Sequence, residues 1–136
     1  YVESKVVNSV MLVIDPFRRS RQHNQAMQKK VESVGGADVV TSMSVLNVLP
    51  TDSDCLDHIR VCWKAAKPNG LVFFKVWAGS WPMRGTGQGQ IHKSKNIWQN
   101  NRWASEFKWM ITKVFGKNAL IFIENNLNLI VVKKAL

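Results

Sequence analysis

A chain of 136 residues with 46% hydrophobic content is the size of one domain and can bury a core, which excludes an intrinsically disordered protein. No apolar run approaches the roughly 20 residues of a membrane-spanning helix. The net charge of +10, from 19 Lys and Arg against nine Asp and Glu, points to phosphate backbones or other anionic surfaces as partners and leaves the fold open.

The first segment, Val6 to Ile14 (VVNSVMLVI), is β-rich and apolar, and Asp15-Pro16 closes it as expected for a buried parallel strand. The tract Tyr1 to Met11 is too mixed for a signal peptide. Arg18 to Val34 carries Ala26, Met27, Val31 and Val34 at helical spacing and ends at Gly35-Gly36, which predicts a helix. Ala37 to Met43 is the next short strand.

After Pro50, Thr51 with Asp54 three residues on is an Asp-containing variant of the capping box, and Leu56, Ile59, Trp63 and Ala66 form the apolar stripe of a helix. Lys67-Pro68-Asn69-Gly70 ends that helix in a turn, and Leu71 to Trp77 reads as a second apolar strand. The stretch Ala37 to Val76 is therefore a βαβ unit, the building block of a parallel sheet whose ligands sit at the carboxyl ends of the strands. Its loop Thr41 to Leu49 lies at such an end. Cys55 and Cys62, seven residues apart on the predicted helix, lie about 10 Å apart along its axis, too far for a mutual disulfide. Both read as reduced, which with the missing signal peptide predicts an intracellular protein, cytoplasmic or organellar. His23, His58 and His92 are scattered and no CxxC pair occurs, so no metal site is expected.

From Ala78 to Gln99 no period is visible, and a loop of that length in a compact domain is usually functional or disordered. Gly85, Gly87 and Gly89 give G-x-G-x-G there, without the strand-turn-helix context of a phosphate cradle, and the pattern reads as a flexible loop. Asn101 to Phe115 regains a helical stripe through Trp103, Phe107, Met110, Ile111 and Val114. Ala119 to Glu124 and Leu127 to Val132 then pair across Asn125-Asn126 as an antiparallel hairpin. The whole is expected to be one domain, 1–136, with a long basic loop at about 78–100.

Positive charge concentrates late in the chain. Arg84 to Lys117 holds seven basic residues against Glu106 alone, whereas 51–83 holds four against three. Arg84, Lys93, Lys95 and Arg102, interleaved with Trp81 and Trp98, make a candidate surface for RNA or for a protein assembly. Trp63 and Trp103 share positions with core stripes and read as packing residues.

The order of a strand ending in Asp15, a helix, ADVVTSMSVLNVL, a helix, KPNG with a strand, a helix and a terminal hairpin resembles the class I S-adenosylmethionine-dependent methyltransferases over nearly the whole chain. The resemblance is closest to bacterial and phage-type methyltransferase-like proteins with DPF-x-R-x4-HN, ADVVT-x2-SVLNV and KPNG-x-VFFKVW-x-G, here Asp15-Pro16-Phe17 with His23-Asn24, Ala37 to Val48, and Lys67 to Gly79. It implies an α/β fold with a Rossmann-like, mostly parallel sheet, helices on both faces, and an inverted last strand in the hairpin. It implies S-adenosylmethionine as cofactor, with Asp15 on the ribose hydroxyls, Thr41, Ser42 and Ser44 lining the donor side, and Asn47 facing the acceptor. Asp38 would be the acid that opens the strand.

The family's first strand and its Gly-rich turn have no counterpart here, since none of the residues before Asp15 is Gly. The sequence is therefore expected to be incomplete at its N-terminus, with a sheet edge for another chain or further residues to complete. Two functions follow: a methyltransferase-like protein of unknown acceptor, or a non-catalytic, basic structural subunit of a larger, ribonucleoprotein-like assembly.

Overall fold

The computed structural model describes residues 10–15, 18–87, 89–92 and 97–136. Its contacts divide into two compact units, Tyr1–Gly36 and Ala37–Leu136.

In the first unit, residues 10–14 form no strand, which corrects the expected Val6 to Ile14 strand over its described part; residues 6–9 lie outside the described residues. One carbonyl in this stretch is bonded to a side chain, and so is the main chain of Asp15 just beyond it. His23 Nε2 meets the Val13 carbonyl at 2.9 Å, and Asn24 accepts the Asp15 N–H and donates to the Asp15 carbonyl, both at 3.0 Å. Apolar β-formers still need a partner strand to become a strand. Helix α1 (Arg21–Ser33) starts three residues later than expected because Ser20 caps it, its hydroxyl accepting the His23 N–H at 3.0 Å. It ends at the two glycines, both at positive φ, where Gly36 donates to the Val31 carbonyl at 2.9 Å.

The second unit opens with β1 (Ala37–Met43), crosses through α2 (Asp52–Ala65) and returns in β2 (Ala66–Lys75), parallel to β1. Thr51 caps α2: its hydroxyl accepts the Asp54 N–H at 3.1 Å and donates to the Asp54 carboxylate at 2.7 Å. Asp52 and Asp54 place negative charge on the helix's positive end. The KPNG turn lies inside β2 as an irregularity, with Asn69 at φ 66° and the pairing register slipping between Ala37 and Val39. A Cβ on Gly70 would come within 2.8 Å of the Lys67 carbonyl and 3.0 Å of the Ala37 carbonyl, so this approach of the strands needs glycine.

The segment expected to be a structureless loop contains a two-stranded antiparallel ribbon, β3 (Gly89–His92) and β4 (Ile97–Asn100). A 3-10 turn, Ala104–Phe107, leads into α3 (Lys108–Phe115). Strands β5 (Leu120–Glu124) and β6 (Leu129–Lys133) pair antiparallel. They are joined by a 3-10 turn at Asn125–Leu127, with Asn128 left-handed at φ 50°, rather than by a two-residue turn. The sheet order is β1-β2-β6-β5. Only β1 and β2 are parallel, so among the described residues the sheet is mixed rather than mostly parallel. Among them, too, β1 pairs with β2 alone and forms an edge.

Val72 and Phe74 of β2 with Ile130 and Val132 of β6 face the core, where α2 brings Cys55, Ile59 and Cys62 and α3 brings Met110, Ile111 and Phe115. Within this unit both helices thus cover one face of the sheet, not two, and Val39, Met43, Leu120 and Phe122, alternating with the buried positions, stay exposed. Of the expected stripe Leu56, Ile59, Trp63 and Ala66, Ile59 and Ala66 are buried and Leu56 packs against the core, while Cys55 and Cys62 join the buried stripe as small apolar side chains. Trp63 lies outside it, under the Lys134 ammonium at 4.1 Å from the ring centroid.

Candidate functional site

The carboxyl ends of β1 and β2 carry a cluster of buried amides. Beyond β1 the chain turns at Ser44, which is left-handed at φ 57°, and its N–H donates to the Lys75 carbonyl at 2.8 Å. It then forms a 3-10 turn, Leu46–Val48, that buries Leu46 and Asn47. Asn47 ties the two strand ends together. Its Nδ2 donates to Gln99 Oε1 at 3.0 Å and its Oδ1 accepts the Trp77 N–H at 3.3 Å. Gln99 Nε2 donates to the Trp77 and Asn100 carbonyls, both at 2.8 Å, and Asn100 Nδ2 donates to the Leu49 carbonyl at 2.6 Å. Asn47, expected to face an acceptor, is buried with both ends of its amide engaged within the cluster; Gln99, Asn100 and Asn101 were missed, and three consecutive amides in a stretch otherwise read as loop and helix start were the available signal.

Asn101 differs from its neighbours. It is fully buried, and neither its Nδ2 nor its Oδ1 has a partner among the described residues. It fills the space left by Gly79, where a Cβ would lie 2.1 Å from Oδ1. A buried amide group without a partner costs about 1–3 kcal/mol, so Asn101 holds the cluster's unused hydrogen-bonding capacity.

The glycines of G-x-G-x-G have other work. The Gly85 N–H donates to the Ala78 carbonyl at 2.8 Å and the Gly87 N–H to the Asn101 carbonyl at 2.7 Å. A Cβ on Gly85 would strike the Trp103 indole at 2.1 Å, and one on Gly89 the Trp98 ring at 1.9 Å. These glycines admit tryptophans and close the turn, so the N–H groups of Gly85 and Gly87 do not face an anion.

Of the residues assigned to the cofactor, Asp15 sits in a pinned turn. Its Oδ1 accepts the Arg18 N–H at 3.0 Å, and its main chain is clasped by Asn24. Thr41 and Ser42 point to opposite faces of β1, as strand alternation dictates: Thr41 is exposed, and Ser42 is buried. The Ser42 hydroxyl lies 2.7 Å from His58 Nε2, with Cys62 Sγ 3.7 Å from the same nitrogen. Burial holds His58 below the usual imidazole range and pushes the Cys62 thiol up to about 12 and the Cys55 thiol up to about 11. Thr41 and Ser44 are exposed at the carboxyl end of β1, whereas Ser42 is engaged behind the sheet. Asp38 pairs with Lys67, whose hydrogen bond and charge hold it below the usual carboxylate range.

The expected basic surface is only partly described. Lys93 and Lys95 lie outside the described residues. Arg102 is bound at 2.8 Å to Asp52 and stacks over Phe107, while Arg84 stacks over Trp103, 5.1 Å from its centroid. Trp81 is exposed and Trp98 half-buried. Trp103 is also half-buried, preceding the 3-10 turn rather than sitting on a helix stripe.

No family model matches the chain, and no curated protein matches it.

Proposed function

We propose that the chain is a methyltransferase-like α/β domain that takes S-adenosylmethionine at the carboxyl ends of its parallel strands. The observation that carries this reading is the strand order: β6 lies antiparallel between β2 and β5, beyond a parallel β1-α2-β2 crossover. That inversion in the last strand is what the resemblance implies for a Rossmann-like sheet ending in a hairpin. The resemblance assigns the ribose hydroxyls to Asp15 and the donor side to Thr41 and Ser44. Asn47 fixes the two strand ends and Asn101 offers an unused amide. When bound, the cofactor supplies an electrophilic methyl group. The protein's part is proximity and orientation of an acceptor that the residues do not name.

Calorimetry with S-adenosylmethionine tests the reading. Asp15→Asn keeps an oxygen to accept the Arg18 N–H while removing the charge, so the turn survives. Binding at least tenfold weaker in Asp15→Asn than in the parent is expected. No heat in the parent chain overturns the reading.

The second reading, a non-catalytic structural subunit, is favoured by one observation: the N–H groups of Gly85 and Gly87 are bonded to Ala78 and Asn101 carbonyls. It predicts no heat in the same titration.

A further inference from the structure

We propose that the outward face of α3 is a docking strip for single-stranded nucleic acid. The helix divides cleanly. Met110, Ile111 and Phe115 fill the core, whereas Lys108, Trp109, Thr112 and Lys113 face outward and, with Ser105 and Glu106, line one shallow depression of about 580 Å³. Trp109 is 52% exposed, although the core already has its aromatic rings in Phe74, Phe107 and Phe115. A large ring left half in water contributes little to the fold and offers a π-face. Lys113 stands one turn beyond Trp109, and Lys108 lies about 7.5 Å from Lys113 along the axis. The two lysines stand about 140° apart around the helix and so flank Trp109 and Thr112 on either side.

The charges select the partner. Neither Lys108 nor Lys113 has a carboxylate within ion-pair distance among the described residues, in contrast to Arg102. The one acid at the depression, Glu106, is turned to the main chain, its Oε2 accepting the Trp103 N–H at 2.6 Å. The floor is also held in place. The Asn125 side chain accepts the Ser105 N–H and donates to the Ser105 hydroxyl, both at 3.0 Å, which ties the start of the strip to the β5-β6 turn. Free cations beside an exposed indole on a preformed surface fit a backbone that alternates phosphate with stackable base. A duplex hides those bases. The inference stands without the cofactor reading, because no residue of the strip belongs to the strand-end site.

The test is fluorescence anisotropy of a short labelled oligouridylate against the full chain across a salt series. Trp109→Ala is expected to weaken binding about tenfold, the equivalent of a stacking contact of about 1.4 kcal/mol, and Trp109→Phe to retain most of it. Lys108→Gln and Lys113→Gln should each flatten the slope of log affinity against log salt by about 0.7. A duplex should bind at least tenfold more weakly than the single strand. Undiminished binding by Trp109→Ala, equal binding of duplex, or no binding of the parent overturns the proposal. If Trp109→Ala does not fold, an unchanged salt slope in the two lysine variants overturns it alone.

Discussion

Ser42 and His58 show how burial changes what a pair of reactive-looking side chains can do. A hydroxyl 2.7 Å from an imidazole nitrogen is the geometry of an activated nucleophile, yet Ser42 is 3% exposed and faces the helix side of the sheet. Its role is to satisfy a neutral His58. Burial lowers the folded pKa of His58, while the unfolded value stays near 6.5. The unfolded chain therefore binds the extra proton first as pH falls. Stability from this residue is fully present above about 6.5 and is lost as pH drops through the lower folded value. The urea midpoint should fall between about pH 7 and pH 5, and His58→Gln should flatten that part of the profile. A profile unchanged in His58→Gln would assign the slope to other groups. The two thiols tell the same story: pushed up by burial, they stay protonated at neutral pH and unreactive in the native state.

At the scale of elements, legibility followed local signals. The βαβ unit was readable because each part carries its own marker: a Thr cap before α2, a Gly-containing turn after it, and β-branched runs on either side. Where the outcome depended on partners, the sequence misled. Val10 to Ile14 has the composition of a strand, but among the described residues no strand pairs with it; its Val13 carbonyl meets His23, and Asn24 holds Asp15 just beyond it. The ribbon β3-β4 has no alternation to announce it; Gly89 opens it by making room for Trp98. The expected stripe of α2 holds Ile59 and Ala66 but lacks Cys55 and Cys62, whose thiols pack as apolar groups and carry no periodic signal of their own. At the strand-end site, Asn47 was legible from its loop, while the amides that complete the cluster arrive from Gln99 to Asn101, about fifty residues away, and only folding brings them together. The legible cap has a measurable consequence. Thr51 satisfies the Asp54 N–H at an exposed helix start, so Thr51→Ala should destabilise the protein by about 1 kcal/mol and Thr51→Ser by much less. Equal loss in both variants would point to packing of the Thr51 methyl group instead of the cap.

For the whole molecule, the decisive quantity is the excess of ten positive charges. Attractive pairs exist: Arg60 with Asp57 and Arg102 with Asp52, both near 2.8 Å or shorter, and Lys67 with Asp38. All three are at least partly exposed, and pairs of that kind contribute about 0–1 kcal/mol each. Against them stands the mutual repulsion of 19 cations with nine anions to offset it, a long-range term that grows as the chain becomes compact. Raising ionic strength from about 0.01 M to 0.15 M shortens the screening length from about 30 Å to about 8 Å. That weakens the distant repulsions more than contacts under 3 Å. Sodium chloride should therefore raise the melting temperature over this range, the opposite of a protein held together by surface ion pairs. Exchanging Lys117 and Lys133, both exposed and outside the candidate strand-end site and the α3 strip, for Gln should raise it at low salt and reduce the salt response. A melting temperature that falls with added salt would mean that the favourable pairs dominate. The excess charge would then be arranged against local acids rather than left to repel.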